Sequence, residues 1–406
     1  MDKNISFSLI REKNKISISI HGDYSKDIVK RSEGNLDIKI NNTTVNFISD
    51  YLYNVNGDKI ALVAILSFWP LITNCSDNII NISFDWNVSH KFKSLIENFR
   101  LLKHLNIKSN LEYVEEDNAD RIVLSYGGGF DSLAASIIFP NAVPIHESPI
   151  AVLENRITDS VIDISNKVKE DLNKKIEFVY TDQRYLYTTF GLPVWTAMYS
   201  SSILSGAKRI YSGTVMDATY LLDGIAYRTL TDKPWYDLFK NIGVEVLPTS
   251  FLSEISNTRI IMKNNLSKYT CYCVRIPFQD CGGCIKCLRK RLLKFLYGEP
   301  FGDFNFTEKI IKELKKRPLK LGNVYAHVYQ KTGWLPEPVL DAFSDIKDQL
   351  LSRDYSFQEK IKVDFFDDMG YDINEKNRII NLLNSMGISI MDKSSELNMQ
   401  KFIPIG

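Results

Sequence analysis

Two short stretches of this chain carry residue types whose spacing suits chemistry. The first is Gly127-Gly128-Gly129-Phe130-Asp131-Ser132, three glycines followed by an aromatic ring, a carboxylate and a hydroxyl. The apolar run Ile122-Val123-Leu124 leads into it and Leu133-Ala134-Ala135-Ser136-Ile137-Ile138 follows, a pattern that predicts a strand, a tight loop and a helix start. Successive glycines let several backbone N–H groups converge on one anion. The helix that follows points the positive end of its dipole at the same place. The chemistry expected here is phosphate binding, with Ser132 donating to phosphate or capping the helix. The spacing excludes two common phosphate loops. Gly129 is not followed by the Gly-Lys-Ser/Thr of a Walker loop, and no glycine stands where the dinucleotide fingerprint needs its third.

The second stretch holds Cys271, Cys273, Cys281, Cys284 and Cys287, five of the chain's 6 cysteines. In a chain read as cytoplasmic, such crowding argues for a metal rather than disulfides. Cys281-Gly-Gly-Cys284-Ile-Lys-Cys287 offers three thiolates on a tight turn, and an upstream cysteine completes a tetrahedron around Zn²⁺. Four filled positions leave no vacancy for water, so the zinc would be structural. An iron–sulfur cluster is the alternative use of four cysteines.

The elements that must position these residues follow from periodicity. Residues 1–115 read as a β-rich domain of short, partly alternating segments (Ser6 to Ile10, Lys15 to His21, Asn35 to Ile40, Thr43 to Ile48) separated by turn residues. Ile60 to Trp69 is apolar nearly throughout and fits a buried strand or a core helix, while His90 to Leu105 has helical spacing. His21, His90 and His104 have no partners at ligand spacing. From residue 116 to 300, strands alternate with helices. Ala142 to Ile145, Ile176 to Tyr180, Arg209 to Tyr211 and Val244 to Leu247 read as strands, and Arg156 to Leu172 and Trp195 to Leu204 as helices. Such alternation predicts an α/β fold with a doubly wound parallel sheet, whose ligand lies beyond the carboxyl ends of its strands. Residues 301–406 read as a helical C-terminal region, with helices over Thr307 to Lys316, Glu337 to Leu351 and Asn374 to Met386.

Composition sets the outer limits. At 406 residues, two or three domains are expected, and 44% hydrophobic content is ample for buried cores. Fifty Lys and Arg balance 49 Asp and Glu, which supplies no general field for nucleic acid or an anionic membrane. The basic run Lys312 to Arg317 reads as a solvated helix face. The charged N-terminus lacks the apolar core of a secretory signal, and the longest apolar run, Ile60 to Ile72, is too short to span a bilayer. A cytoplasmic protein is expected, its oligomeric state left open.

GGGFDS resembles the SGGxDS signature of the PP-loop ATP pyrophosphatases, with Gly127 where that signature has its first serine. Thr270-Cys271-Tyr272 and CGGCIKCLRKRLLKF look like the Cys-Tyr … Cys-Gly-x-Cys-x-x-Cys-x-x-Arg zinc segment of the 7-cyano-7-deazaguanine synthases, with Lys290 in place of the last arginine. This likeness covers roughly residues 120 to 297 and implies a PP-loop, HUP-like fold. It implies that ATP and Mg²⁺ meet at Ser125, Gly127, Gly128, Gly129, Asp131 and Ser132. Asp131 and Ser132 would be catalytic, Asp131 holding the metal or orienting the loop. By position, Cys271, Cys281, Cys284 and Cys287 would bind Zn²⁺ and Cys273 would be spare. Ser212 to Asp217 resembles the family's substrate loop, making Asp217, Asp223 and Arg228 candidates for a deazaguanine-like substrate, although Pro193-Val194-Trp195-Thr196 stands where the family carries Pro-x-Arg-Asn. The activity implied is adenylation of a carboxylate followed by amine attack. Two alternatives accompany it: conjugation of a deazaguanine to a protein acceptor, as in bacterial antiphage defence, and a zinc-stabilised scaffold without catalysis.

Overall fold

The computed structural model describes residues 2–23, 29–33, 36–40, 43–69, 72, 79–100, 102–114, 117, 119–183, 194–219, 233–273, 279–317, 319 and 322–400. The chain divides into two compact units. The first comprises Met1–Tyr126, Asn141–Tyr211 and Pro234–Val246, and the second Gly127–Pro140, Ser212–Lys233 and Leu247–Gly406. The expected boundaries at 115 and 300 coincide with neither.

The fold is α/β around one large sheet. Its strands in chain order are β1 (Lys3–Glu12), β2 (Lys15–Gly22), β5 (Thr44–Ile48), β6 (Ile80–Phe84), β7 (Leu105–Ile107), β8 (Arg121–Ser125), β9 (Val143–Pro149), β10 (Glu177–Thr181), β11 (Ala207–Ser212) and β12 (Glu245–Pro248). They lie in the order β12-β11-β8-β9-β10-β5-β2-β1-β6-β7. β3 (Val29–Glu33) and β4 (Leu36–Ile40) form a separate antiparallel hairpin. Apart from Asn35 to Ile40, of which Leu36–Ile40 falls in that hairpin, the strands read as a separate N-terminal β-rich domain therefore belong to the sheet that contains β8, β9 and β10.

The seam explains why. β8, β9 and β10 pair in parallel, as strand–helix alternation predicts, but β10 would end this half with open backbone groups. β5 covers that edge antiparallel, pairing Tyr180 with Ile48 and Thr181 with Phe47. Asn46 donates from its backbone N–H (2.7 Å) and its Nδ2 (3.0 Å) to the Asp182 carboxylate, and Ser49 Oγ donates to the Phe178 carbonyl at 2.7 Å. The apolar run at Ile60 resolves as the helix Gly57–Ser67, capped by Asn56 and buried from Lys59 to Ser67. A strand there would leave Asp58 and Lys59 without the helical first turn that Asn56 caps.

The second unit is helical around a small aromatic core. Phe251 packs on Phe366 with ring centroids 4.4 Å apart, and Tyr371 Oη donates to the Pro248 carbonyl at 3.1 Å. Truncating one such ring costs about 3–5 kcal/mol. The C-terminal residues are thus part of this unit's interior. The stretch expected as one helix over Glu337 to Leu351 breaks into Glu337–Ala342 and Lys347–Leu351, and β13 (Lys360–Ile361) pairs in parallel with β14 (Ser389–Ile390). No helix among the described residues is long and apolar enough to cross a membrane.

Candidate functional site

The glycine loop and the cysteine segment belong to the same unit and are joined directly. Gly128 turns the chain with φ +71°, a conformation that favours glycine, and its carbonyl accepts the Cys271 N–H at 2.6 Å. The helix Phe130–Ile138 starts at Gly129, where no side chain caps the first N–H groups. A Cβ placed on Gly127 or Gly129 would meet nothing within 4 Å, so both glycines border open space. Gly213 differs: a Cβ there would come 2.6 Å from the Asp131 carbonyl carbon and the Ser132 nitrogen. Close approach of the 212–214 backbone to the start of this helix therefore requires glycine at 213. Ser132 is buried and its Oγ donates to the Gly129 carbonyl at 3.2 Å, the geometry of a hydroxyl folded back onto its own loop.

Asp131 is the half-exposed end of a chain of charged groups. Asn257 Nδ2 donates to Asp131 Oδ1 at 3.2 Å, and Lys290 Nζ lies 3.7 Å from Oδ2. Lys290 Nζ is also 2.6 Å from Glu254 Oε1 and sits 4.7 Å from the centroid of the Phe130 ring. Arg289 Nε pairs with the same Glu254 carboxylate at 3.0 Å. Burial raises the Glu254 carboxyl, but Arg289 and Lys290 outweigh it and hold the group down at about 2. Lys286, one turn before Lys290 on the helix Ile285–Leu296, is pushed below its ordinary value by burial and by its cationic neighbours Lys290 and Arg289. Helical spacing at 286, 289 and 290 places these three cations on one face. An uncapped helix start, two open glycines, a carboxylate and clustered cations form an arrangement able to hold an anion with a divalent cation beside it.

Asp217 is fully inside this network. Its Oδ2 accepts the Glu254 N–H at 2.8 Å and its Oδ1 accepts Asn323 Nδ2 at 2.7 Å. Burial, with the Glu254 and Asp131 carboxylates nearby, pushes its carboxyl up to about 6. The amide oxygens of Asn257 and Asn323 are buried and accept no hydrogen bond. Asp223 and Arg228 lie outside the described residues. Ser125 is the half-buried last residue of β8 in the first unit, whereas Gly127, Gly128, Gly129, Asp131 and Ser132 belong to the second.

The thiol cluster corrects one expectation. The ligand atoms that gather within 4.8 Å of one another are those of Cys273, Cys281, Cys284 and Cys287, so Cys273 takes the place expected for Cys271. The backbone accounts for the exchange. Cys271 is pinned to Gly128 O, whereas the Cys273 N–H donates to the Gln279 carbonyl at 3.2 Å, folding Cys273 toward the turn that carries Cys281. Asp280 braces that turn, accepting from the Gly282 N–H, Tyr272 Oη and Arg291 Nε, each at 2.8 Å. The Cys281–Cys287 and Cys284–Cys287 Sγ distances are 3.8 and 3.3 Å. Tetrahedral sulfurs about 2.3 Å from one ion stand about 3.8 Å apart, so the four thiols suit a single metal ion such as zinc. The neighbouring Cys287 thiol holds Cys284 down at about 4, and the same contact pushes Cys287 up.

Sequence reasoning noted Lys290 only as a departure from a pattern, and it missed Glu254, Asn257 and Asn323. Ser253-Glu254 had a readable signal, because the Ser253 side chain caps the helix Glu254–Lys263 through the Ile255 and Ser256 N–H groups. Nothing local marks Asn323, which reaches Asp217 from the helix Gly322–Thr332 across 106 residues. Residues 234–361 match a family of unknown function, DUF6395. That span contains Glu254, Asn257, the thiol cluster, Lys290 and Asn323, and it excludes the glycine loop and Asp217. No curated protein and no solved structure matches the chain.

Proposed function

We propose that this chain is an ATP-dependent, zinc-containing ligase that activates a carboxylate as its adenylate, on a 7-deazaguanine-like substrate, and transfers the acyl group to an amine. The observation that carries the reading is the Gly128 carbonyl to Cys271 N–H bond. It joins the two stretches that resemble the PP-loop and 7-cyano-7-deazaguanine synthase signatures, although 143 positions separate them in sequence. In the first step a substrate carboxylate oxygen attacks the α-phosphorus, the α–β bridge breaks and pyrophosphate leaves. In the second, the amine forms a C–N bond to the acyl carbon, AMP leaves with the C–O bond electrons, and the nitrogen loses a proton.

The N–H groups at the start of the helix Phe130–Ile138 would receive phosphate oxygens, with Lys286 and Lys290 adding positive charge. Mg²⁺ at Asp131 would supply further neutralisation of phosphate charge. Asn257 and Lys290 keep the Asp131 carboxylate oriented, and Glu254 in turn fixes Lys290. Cys273, Cys281, Cys284 and Cys287 would hold Zn²⁺ with four thiolates, and the bound metal would serve to fix the turn that carries them.

Incubation with α-labelled ATP, Mg²⁺, 7-carboxy-7-deazaguanine and ammonium should release AMP and yield an amide or nitrile visible by mass spectrometry. Asp131→Asn should abolish both. AMP release without a deazaguanine product would reject the substrate while keeping the chemistry. If calorimetry detects no ATP binding and no AMP forms, the unit is a scaffold and the reading fails.

A further inference from the structure

The first unit contains a cavity of about 650 Å³ that the proposed chemistry does not use. Small-molecule sites span roughly 300–1,000 Å³, so the volume suits a ligand of nucleotide size. Its wall is formed by the first turns of the helices Gly57–Ser67 and His90–Asn98, by residues 112–114 with Asp117 and Ala119, by Lys208 and by the turn from Lys240 to Gly243.

The charges lining it fall into two groups. Every carboxylate is engaged by a donor of the frame. Asp58 accepts the Ser89 N–H at 2.8 Å and the Ser89 hydroxyl at 2.6 Å. Asp117 accepts Lys59 Nζ at 2.8 Å and the Asn56 N–H at 2.9 Å, and Glu112 accepts Asn87 Nδ2 at 2.5 Å. Lys59 is buried at the cavity floor and committed to Asp117. Lys91, Lys208 and Lys240 are exposed, and among the described residues none forms an ion pair. The acids thus hold the walls in place while three ammonium groups remain for a ligand. An adjoining cavity of about 480 Å³ shares Lys208, Lys240 and Gly243, so those two lysines border both spaces. Tyr113, which also lines the cavity, is 87% exposed, and a base can stack on such a ring.

We propose that this cavity binds a nucleoside phosphate, with the phosphate at Lys208 and Lys240 and the base stacked on Tyr113. Ammonium groups act on phosphate as point charges and need no bidentate geometry, which suits lysines arriving from separate elements. A base stacks on tyrosine regardless of its identity, so the expected selectivity is for phosphate and ring together rather than for one base.

AMP titrated by calorimetry onto the full chain tests this. AMP should bind the wild-type chain, at least tenfold more weakly after the double substitution Lys208→Glu, Lys240→Glu, and severalfold more weakly after Tyr113→Ala. Asp131→Asn, in the other unit, should leave that binding within twofold, which separates this site from the glycine loop whatever the loop binds. All three substituted side chains are exposed, so melting temperatures should stay within a few degrees and certify folding. The proposal is overturned by an absence of AMP binding up to millimolar concentration, by affinity unchanged in the double variant, or by loss of binding in Asp131→Asn alone. Binding of a single-stranded oligonucleotide where AMP fails would also overturn it, by identifying a polymer as the ligand.

Discussion

Asp159, buried in the first unit, and Asp217, buried in the second, have opposite fates. In the first unit, Asp159 accepts the Val161 N–H at 2.9 Å, His146 Nε2 at 2.9 Å and Ser148 Oγ at 2.8 Å. His146 Nδ1 lies 2.8 Å from the Tyr126 carbonyl, so each atom of this cluster meets a partner. Burial alone would raise the Asp159 carboxyl, yet His146 and these donors hold it well below the usual carboxylate range. In the second unit, Asp217 receives two hydrogen bonds, faces the Glu254 and Asp131 carboxylates, and is pushed up to about 6. The same desolvation acts on both, and the local counter-charge decides the sign. A cluster with every atom matched reads as structure. The other unit, which combines a perturbed carboxyl, unmatched amide oxygens and a set of metal-suited thiols, reads as a site.

The largest expected effect tests the thiols. Binding of structural zinc is worth on the order of 10 kcal/mol in zinc-finger peptides, and that energy is folding energy. Stripping metal with a chelator should lower the melting temperature more than any substitution discussed below. Elemental analysis should find one zinc per wild-type chain, loss of it in Cys273→Ser and retention in Cys271→Ser. Zinc retained in Cys273→Ser would sink the geometric assignment.

Next comes the ion network. Glu254→Ala leaves the buried Lys290 and the partly buried Arg289 without their carboxylate, a change expected to cost about 3–5 kcal/mol in urea unfolding. A loss below about 1 kcal/mol would mean that water reaches these cations. The two aspartates should then give opposite pH slopes. Stability from Asp159 is present above the ordinary carboxylate range and is lost as pH falls below it. Asp217 ionises at about 6 in the folded chain instead of 3.8, so it reduces stability progressively as pH rises from about 4 to about 6. Asp217→Asn should remove that slope, gaining about 2 kcal/mol on the wild type between pH 4.5 and pH 7. Parallel urea curves for the two proteins across this range would remove the contrast.

How much of this was readable in the sequence depends on range. The strand, glycine loop and helix at 121–138 were legible because each signal is local. The four-thiol cluster was legible as a class. The choice of Cys273 over Cys271 was not, because it turns on backbone contacts to Gln279 and Gly128. The N-terminal strands were legible as strands, but their place beside β10 was not, since alternation along a strand says nothing about which edge it will cover. Asp217 was singled out, while its environment comes from Glu254 and Asn323, which no spacing links to it.

The smallest expected effect separates a loop shaped by packing from one shaped for a ligand. Gly213→Ala puts a methyl 2.6 Å from the Asp131–Ser132 backbone, and it should destabilise by about 1–3 kcal/mol as the helix start is pushed away. Gly127→Ala meets no atom within 4 Å and does not demand a positive φ. Restricting the unfolded chain should then leave stability unchanged or raise it by about 0.4–1 kcal/mol. The same methyl projects into the space where a phosphate would approach, so ATP affinity measured by calorimetry should fall while the urea midpoint does not. A Gly127→Ala chain that binds ATP like the wild type would show that the open face of the loop is merely solvent. The contrast between the matched and unmatched clusters would then rest on Asp217 and the thiols alone.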